Sequence, residues 1–393
     1  MIDQLDAEPL PRPSAEALAH SDQMRTRILE AIEARGGTIR FQEFMDLVLY
    51  APGLGYYSAG AAKFGPAGDF VTAPEISDIF AECLATGFAR VLKTTRGDIV
   101  ELGAGSGSLA AGLLRALQAR DVLPGRYRIV EVSADLRERQ RRFIAENAPA
   151  MINRVEWLDA PPAVIDGVII ANEVLDALPV ERFRVTDTNG EYLGVSSRDR
   201  DLHWTSLPAD ERLLRQLDLI AEALGSRLPV GYVSEWCPRL PPLVADLSSR
   251  LRRGLLMFVD YGLPRRQLYH PQRDRGSLIC HYRHRAHTDP FLYPGLQDIS
   301  TWVDFTSVAE SAAGVGLILD GFTTQAHFLI DAGLPEPQAR AGSDPRSRME
   351  LSRQVGVLTL PGEMGERFKV MAFSRDWEGR LPGLTGTDLS GSL

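Results

Sequence analysis

The clearest chemical pattern in the chain is an acid followed by alternating glycines at the end of an apolar run. The acid is Glu101, the glycines are Gly103, Gly105 and Gly107, and Ala104 lies between the first two. Apolar residues at helical spacing follow, so the order indicates a buried strand, a tight turn and a helix N-terminus. Glycine lets the backbone approach a ligand, and the free N–H groups of the first helical turn face it. The pattern therefore predicts a bound nucleotide-like cofactor.

The residue after the last glycine bears on which cofactor binds. A dinucleotide fingerprint needs its third glycine at position 108, where this chain has Ser108. The spacing from Glu101 to Gly107 instead resembles motif I of class I S-adenosylmethionine-dependent methyltransferases. That cofactor has no pyrophosphate, but it has an ammonium group that Glu101 is placed to hold directly or through water. We therefore predict S-adenosyl-L-methionine at the glycine turn.

Further cofactor contacts are predicted at the ends of the next two strands. Glu131 ends the second strand, at the separation where an acid holds ribose hydroxyls in both nicotinamide and S-adenosylmethionine sites. The alternative for Glu131 is a solvated charge at a strand end. Leu158 and Asp159 follow the third strand and are predicted to flank the adenine, with ordinary loop packing as the alternative.

A long loop before the glycine turn carries three more candidate cofactor-binding residues, Asp69, Thr72 and Glu75. Ordered loops of this length without regular structure are usually functional. If the loop folds over the cofactor as a lid, these side chains line it and exclude water. Hydrogen bonds within turns and at a helix N-terminus explain the same residue types equally well.

Candidate acceptor-binding residues follow the fourth predicted strand, in the segment Asn172-Glu173-x-x-Asp176. Methyl transfer from a sulfonium is an in-line displacement, in which orienting the two reactants can contribute roughly 7–11 kcal/mol. Carboxylates orient a guanidinium by bidentate pairing. Two acids three residues apart face one way if a helix begins there. We predict that Glu173 and Asp176 orient the acceptor, with Asn172 beside the methyl group; helix capping is the alternative.

The order of elements indicates an α/β fold. Strands and helices alternate from residue 98 to 180, which predicts a mostly parallel sheet. The likeness to class I methyltransferases implies a Rossmann-like sheet whose last strand is antiparallel. Alternating hydrophobicity between Arg182 and Trp204 predicts an inserted β-meander. The predicted segments are a flexible N-terminus (1–13), N-terminal helices with the cofactor-covering loop (14–97), the first part of the Rossmann-like domain (98–180), an insertion of meander and helices (181–253), the remainder of the domain with a second insertion at about 262–310 (254–378), and a flexible tail (379–393).

The composition of the 393-residue chain limits the classes of molecule that it is expected to bind. The net charge is −9, and no block of Lys and Arg is interleaved with aromatics, which argues against nucleic acid. An acidic protein suits a cationic substrate. No run is long enough to span a membrane, and the acidic N-terminus predicts neither a signal peptide nor a transit peptide. With only three cysteines, we expect a reducing compartment and predict a cytoplasmic protein.

One group of residues invites a metal interpretation: Cys280, His281, His284 and His287. Their spacing matches no standard structural zinc pattern, and methyl transfer needs no metal. Solvated residues of an insertion, or contacts to a partner, explain them better. We predict no metal site.

Beyond the glycine turn, the chain resembles the MidA-type family over about residues 20–373. The mitochondrial members of that family are assembly methyltransferases for respiratory complex I. The glycine turn departs from the family at Ala104-Gly105-Ser106, where Pro-Gly is usual, and Thr301-Trp302 replaces a frequent Ala-His. The resemblance rests on several long, uncommon strings, at residues 53–57, 68–77, 100–103, 171–180, 259–262, 303–305 and 363–365.

The resemblance implies a protein-arginine methyltransferase that forms symmetric dimethylarginine on a complex I subunit or a similar protein. Three alternatives stay open from the residues alone. One is methylation of another acceptor, another is an assembly scaffold that binds the cofactor without catalysis, and the third is a nicotinamide oxidoreductase, disfavoured by Ser108. The insertions serve a substrate protein or a homodimer equally well.

Overall fold

The computed structural model describes residues 10–58, 72–334 and 344–393. Within them the chain forms two compact units, each built from three separate stretches. The first unit contains the described residues within 1–70, 176–240 and 263–304. The second contains the described residues within 71–175, 241–262 and 305–393.

The helices, in chain order, are α1 (Ala15–Ala34), α2 (Phe41–Tyr50), α3 (Ala73–Ile76), α4 (Asp78–Thr95), α5 (Ser108–Gln118), α6 (Ala134–Asn147), α7 (Glu211–Leu224), α8 (Leu240–Arg250), α9 (Arg265–Leu268), α10 (Phe305–Ala313), α11 (Gln325–Asp331), α12 (Pro345–Thr359) and α13 (Met364–Arg367). The strands are β1 (Thr38–Ile39), β2 (Asp98–Leu102), β3 (Tyr127–Val130), β4 (Val155–Leu158), β5 (Ile165–Asn172), β6 (Glu181–Val185), β7 (Gly190–Arg198), β8 (Asp201–Pro208), β9 (Val233–Trp236), β10 (Leu251–Leu263), β11 (Ile279–Tyr282), β12 (Arg285–His287), β13 (Asp298–Ser300), β14 (Val303–Asp304), β15 (Ile318–Thr324) and β16 (Phe368–Arg375). Short 3₁₀ turns cover Pro149–Arg154 and Ser390–Ser392.

The second unit is built on a sheet with the strand order β15-β16-β10-β5-β2-β3-β4. The pairs from β10 to β4 are parallel, and β16 runs antiparallel to both of its neighbours. The predicted α/β fold with an antiparallel last strand is therefore confirmed. The sheet is buried on both faces, as the continuous apolar run Val168–Ala171 of β5 indicates, since none of these side chains is more than 1% exposed.

The strand order reverses direction at β2 and β5. From β2 the chain moves to β3 and β4 on one side, and from β5 it moves to β10 on the other. In open α/β sheets a ligand binds in the crevice at this switch point, outside the carboxyl ends of the strands. The glycine turn follows β2, and Asn172 ends β5 with Glu173 directly after it, so both segments lie at this point.

The first unit contains the predicted meander. Strands β6, β7 and β8 pair antiparallel, with β1 on β7 and β9 on β6. The β7–β8 turn places Asp199 and Arg200 at φ of 51° and 71°, the geometry of a two-residue hairpin. Helices α1 and α2 bury an apolar face that includes Ile28 and Phe44, and a second core surrounds α7. Strands β12, β11 and β13 form a separate small sheet.

The unit boundaries differ from the predicted segments. Helix α4 lies within the predicted N-terminal segment 14–97, yet it belongs to the second unit because Phe80, Leu84 and Phe88 are buried in that unit's core. Helix α8 lies within the predicted 181–253 insertion, yet nearly all of it also belongs to the second unit. Both helices are amphipathic, but amphipathicity does not specify which core a helix covers.

The C-terminal residues 379–393 differ from the prediction, because they are not the flexible segment expected from their Gly, Ser and Thr content. Leu381 is only 3% exposed and belongs to the second unit's core. The Asp331 carboxylate accepts the backbone N–H groups of Gly383 and Thr385 at 2.9 and 2.8 Å. One buried leucine and these backbone hydrogen bonds order a sequence that composition alone assigns to a loose end.

Candidate cofactor and acceptor site

Glu101 lies in β2 of the second unit and is only 2% exposed. Its Oε2 accepts a hydrogen bond from the Tyr127 hydroxyl at 2.7 Å. Burial raises the pKa of Glu101 to about 7, with the Tyr127 hydrogen bond acting in the opposite direction. A carboxylate buried in this way gains most from a cationic partner, which the ammonium of S-adenosyl-L-methionine supplies.

The glycine turn has the backbone conformation that requires glycine. Gly103, Gly105 and Gly107 have φ values of 60°, 52° and 88°, which L side chains rarely adopt. A Cβ at Gly103 would lie 3.3 Å from Cγ2 of Val174, so the turn passes close to the loop after β5. Ala104, inside the turn, is 7% exposed.

Ser108, at the place of the third glycine in a dinucleotide fingerprint, has a structural contact of its own. Its hydroxyl donates to the carbonyl oxygen of Pro74 at 2.8 Å, which ties the start of α5 to α3. This hydrogen bond requires a side chain at position 108. Position 108 therefore has a serine with a structural hydrogen bond where a dinucleotide-binding site has a glycine, in agreement with the sequence analysis.

Glu131 follows β3 and is 9% exposed. The Ser133 N–H donates to its Oε1 at 2.9 Å, and Gln140 donates to its Oε2 at 3.3 Å. Burial raises the pKa of Glu131, and these hydrogen bonds act in the opposite direction. Since β2 and β3 are parallel neighbours, Glu131 and the glycine turn lie at the same edge of the sheet, as a ribose-binding acid requires.

Gln140 connects these parts of the site, and its role was missed from the sequence. Its Nε2 donates to the Gly105 carbonyl at 3.1 Å as well as to Glu131, and its Oε1 accepts from the Trp157 indole at 2.9 Å. The side chain is fully buried. The available signal was its spacing, because Gln140 lies on the buried face of α6 between Leu136 and Ile144.

Replacing Gln140 with Leu is expected to lower the affinity for S-adenosyl-L-homocysteine by about tenfold and the free energy of unfolding by about 1–3 kcal/mol, because buried polar partners lose their hydrogen bonds. Calorimetric titration and urea unfolding measure the two effects. The exposed Gln118, at the end of α5, provides a matched control: Gln118→Leu should change neither quantity. Wild-type affinity in Gln140→Leu would contradict the assigned role.

The predicted adenine-flanking residues differ in exposure. Leu158 ends β4, and its carbonyl accepts the Glu131 N–H at 3.1 Å. The Asp159 side chain is 89% exposed and pairs with Arg137 at 2.5 Å. Arg137 also donates to the Glu131 carbonyl at 2.5 Å. Both residues thus lie beside Glu131, and their contact with adenine stays a prediction.

Of the predicted lid residues, Thr72 and Glu75 form a capping box at α3, in which the Glu75 carboxylate accepts the Thr72 N–H at 3.3 Å. These hydrogen bonds are the helix-capping alternative given above. A contact of Thr72 or Glu75 with the cofactor stays a prediction. Asp69 lies outside the described residues.

The loop after β5 does not begin a helix, so the geometry assumed for Glu173 and Asp176 is wrong. Glu173 has a φ of 54°, in the left-handed region, and its N–H donates to the Val259 carbonyl at 2.9 Å. Asn172 Nδ2 donates to Glu173 Oε1 at 3.2 Å. Among the described residues, the buried Oδ1 of Asn172 has no hydrogen-bond partner. A bound cofactor or acceptor is a fitting donor for that oxygen.

Asp176 is the first residue of a stretch of the first unit, and the preceding Leu175 is the last residue of one stretch of the second unit. It is 7% exposed, and its carbonyl accepts the Thr301 N–H at 3.1 Å. The next carbonyl, of Ala177, accepts the Tyr50 hydroxyl at 2.8 Å. The backbone at Asp176 is therefore firmly held, and its contact with an acceptor stays a prediction.

The described residues contain no cluster of three or more His, Cys, Asp or Glu placed to hold a metal. Cys280 is fully buried and pairs with His287 across β11 and β12. In the same described ranges, no helix has the length and apolarity of a membrane span.

The residues of the second unit fit S-adenosyl-L-methionine. A buried acid lies before a glycine turn that permits close approach, and a second acid follows the adjacent strand. At the end of β5, the Asn172 amide oxygen has no hydrogen-bond partner within the part of the chain that the structure describes. These groups match the ammonium, the ribose hydroxyls and the donors of the cofactor. The fit rests on the donors and acceptors that the chain presents.

Comparison with known proteins supports this cofactor. A family model described as S-adenosyl-L-methionine-dependent methyltransferase matches residues 80–323. A Burkholderia thailandensis protein crystallised with S-adenosyl-homocysteine bound is 41% identical, with a TM-score of 0.93, and the match covers 98% of this chain and 100% of that chain. A native crystal structure from the same organism is also 41% identical, with a TM-score of 0.90.

Curated relatives are similar over most of their length. The rat protein named protein arginine methyltransferase NDUFAF7, mitochondrial, is 30% identical over 90% of this chain and 84% of its own. The human protein of the same name is 28% identical over 86% of this chain and 80% of its own. The prediction of a cytoplasmic protein is contradicted by these relatives, which are named as mitochondrial. The absence of a recognisable transit peptide was too weak a signal to assign a compartment.

Proposed function

From the premise that the chain belongs to the family of S-adenosyl-L-methionine-dependent methyltransferases, we propose that its acceptor is the guanidinium of a protein arginine. The observation that carries the proposal is the position of Glu173. It follows β5 at the switch point of the sheet, and the next residue, Val174, lies against the glycine turn. The mitochondrial relatives named protein arginine methyltransferase support the same acceptor.

The cofactor supplies an electrophilic methyl group on a sulfonium, and the chain supplies binding and orientation. Glu101 would hold the ammonium of the cofactor and Glu131 its ribose hydroxyls. Glu173 pairs with the guanidinium and turns one terminal nitrogen toward that methyl. A planar guanidinium suits bidentate pairing with a carboxylate, which also draws the positive charge away from the attacking nitrogen. Alignment of this kind is the main contribution an enzyme makes to a displacement.

The overall charge is consistent with a basic segment of a protein as acceptor. The net charge of −9 favours approach of a cationic chain. The complex I subunit implied by the family resemblance is the first protein to test, and symmetric dimethylarginine is the expected product.

The proposal is tested by incubating the purified protein with methyl-labelled S-adenosyl-L-methionine and a cell extract, then locating the label by mass spectrometry. We expect label on both terminal nitrogens of an arginine side chain in one protein or a few. An extract incubated without the enzyme provides the background. Label found only on other side chains or on small molecules would contradict the arginine acceptor, while leaving methyl transfer itself intact.

A further inference from the structure

A second buried carboxylate lies next to the loop that carries Glu173. Asp260 is in β10, the parallel neighbour of β5, and it directly follows Val259, which pairs in register with Asn172. Its side chain is fully buried. The predicted catalytic and cofactor-binding residues do not include it.

Asp260 accepts hydrogen bonds from three backbone N–H groups. Its Oδ2 accepts the N–H groups of Val174 and Leu175 at 3.1 and 2.8 Å. Its Oδ1 accepts the N–H of Tyr261 at 2.9 Å. Hydrogen bonds to an ionised acceptor are about twice as strong as neutral ones. A fully buried carboxylate that receives several of them is a strong anchor for the loop.

The loop needs such an anchor because its conformation is strained. Glu173 has a φ of 54°, and a non-glycine residue in the left-handed region costs about 1–3 kcal/mol and persists only where its surroundings impose it. The Val259 carbonyl holds the Glu173 N–H at 2.9 Å, and Asp260 holds the next two N–H groups. Two consecutive residues of β10 thus bind three consecutive residues after β5.

We propose that Asp260 is a positioning residue for methyl transfer, which acts through the backbone of Val174 and Leu175 to set the direction of the Glu173 carboxylate. The proposal rests on the acceptor-orienting role of Glu173 proposed above. It explains why the acid is buried without a need for direct contact with either reactant. A displacement of about 1 Å in a positioning group can lower a rate by about 100-fold, so a small shift of this loop has a large consequence.

The test compares Asp260→Asn and Asp260→Ala with the wild type and with Asp331→Asn. The last is a matched control, because Oδ2 of Asp331 also accepts two backbone N–H groups in the same unit, those of Gly383 and Thr385. Total label transferred to protein in a cell extract gives the rate whichever side chain is methylated. S-adenosyl-L-homocysteine binding is measured by calorimetry, and hydrogen exchange by mass spectrometry on peptides that cover residues 172–176 and 383–386.

We expect Asp260→Asn, which keeps one oxygen, to lower kcat about tenfold, and Asp260→Ala to lower it more. The KM for S-adenosyl-L-methionine and the affinity for S-adenosyl-L-homocysteine should change less than about threefold, and exchange should rise only at 172–176. Asp331→Asn should raise exchange only at 383–386 and leave kcat unchanged. Equal loss of cofactor affinity and kcat in the Asp260 variants would overturn the proposal, because it would indicate general damage to the site.

A double-mutant cycle with Glu173→Ala separates positioning from stability. If Asp260 acts through Glu173, Asp260→Asn should lower the rate less than about threefold in the Glu173→Ala background. A full tenfold effect in that background would overturn the proposal. The proposal of an arginine acceptor is tested separately, by identifying which residue carries the label. The double-mutant cycle depends only on the amount of label transferred.

Discussion

Glu101→Gln is expected to lower the affinity for S-adenosyl-L-homocysteine by about 100-fold or more at pH 8, since removing one partner of a buried charge pair costs about 3–5 kcal/mol and about 1.4 kcal/mol corresponds to a tenfold change in affinity. The amide keeps the shape of the side chain and can still accept the Tyr127 hydroxyl, but it has no charge for the ammonium. Calorimetric titration measures the loss. The exposed Glu138 on α6 supplies the control, and Glu138→Gln should bind as the wild type does.

Glu101→Gln should also remove the pH dependence of the affinity for S-adenosyl-L-homocysteine. Burial raises the pKa of Glu101 from 4.5 to about 7 in the ligand-free protein, so wild-type affinity should fall as the pH drops below about 7 and the carboxylate becomes protonated. Titrations at pH 6, 7 and 8 should show this decline for the wild type and a nearly constant, weak affinity for Glu101→Gln. A wild-type affinity for the ligand in Glu101→Gln at pH 8 would refute the assigned ammonium contact.

The free energy of unfolding of the wild type should change with pH in the direction opposite to its ligand affinity. Between pH 4.5 and about 7 the folded protein keeps a proton on Glu101 that the unfolded chain releases, so wild-type stability falls as the pH rises through this range. Glu101→Gln has no such proton to lose. Its ligand-free form should exceed the wild type in free energy of unfolding by about 3 kcal/mol at pH 8, from about 1.36 kcal/mol per pKa unit. Urea unfolding at pH 5 and pH 8 measures the difference.

Glu173→Gly should lower methyl transfer by about 100-fold or more and at the same time stabilise the protein. Glycine adopts the observed φ of 54° without strain, so we expect the free energy of unfolding to rise by about 1 kcal/mol. Affinity for S-adenosyl-L-homocysteine should change less than about threefold, because Glu173 orients the acceptor. Label transfer, calorimetry and urea unfolding provide the three measurements.

The control for Glu173→Gly is another acid with the same backbone conformation. Asp376 is exposed, belongs to the second unit and has a φ of 46°. Asp376→Gly should gain similar stability and keep full activity. If Glu173→Gly retained wild-type methyl transfer, the role of Glu173 in orienting the acceptor would be wrong, whatever happened to stability.

The sequence by itself determined the central part of the fold and the cofactor. The predicted alternation of strands and helices from residue 98 is present in β2, α5, β3, α6, β4 and β5, because a short apolar run between turn residues is a local signal. The glycines of the turn have positive φ values, which their spacing indicates, and the missing glycine at Ser108 already disfavoured a dinucleotide. The family that the chain resembles is confirmed by the family model and the relatives.

Only the tertiary structure decided how the loop after β5 is built. The two acids after that strand predicted a shared helix face, but Glu173 is left-handed because β10, about 90 residues later, holds the loop through Val259 and Asp260. Gln140 and the raised pKa of Glu101 likewise depend on burial between elements distant in the chain. Local patterns record strands, turns and caps, whereas hydrogen bonds and desolvation between remote segments exist only once the sheet has brought them together.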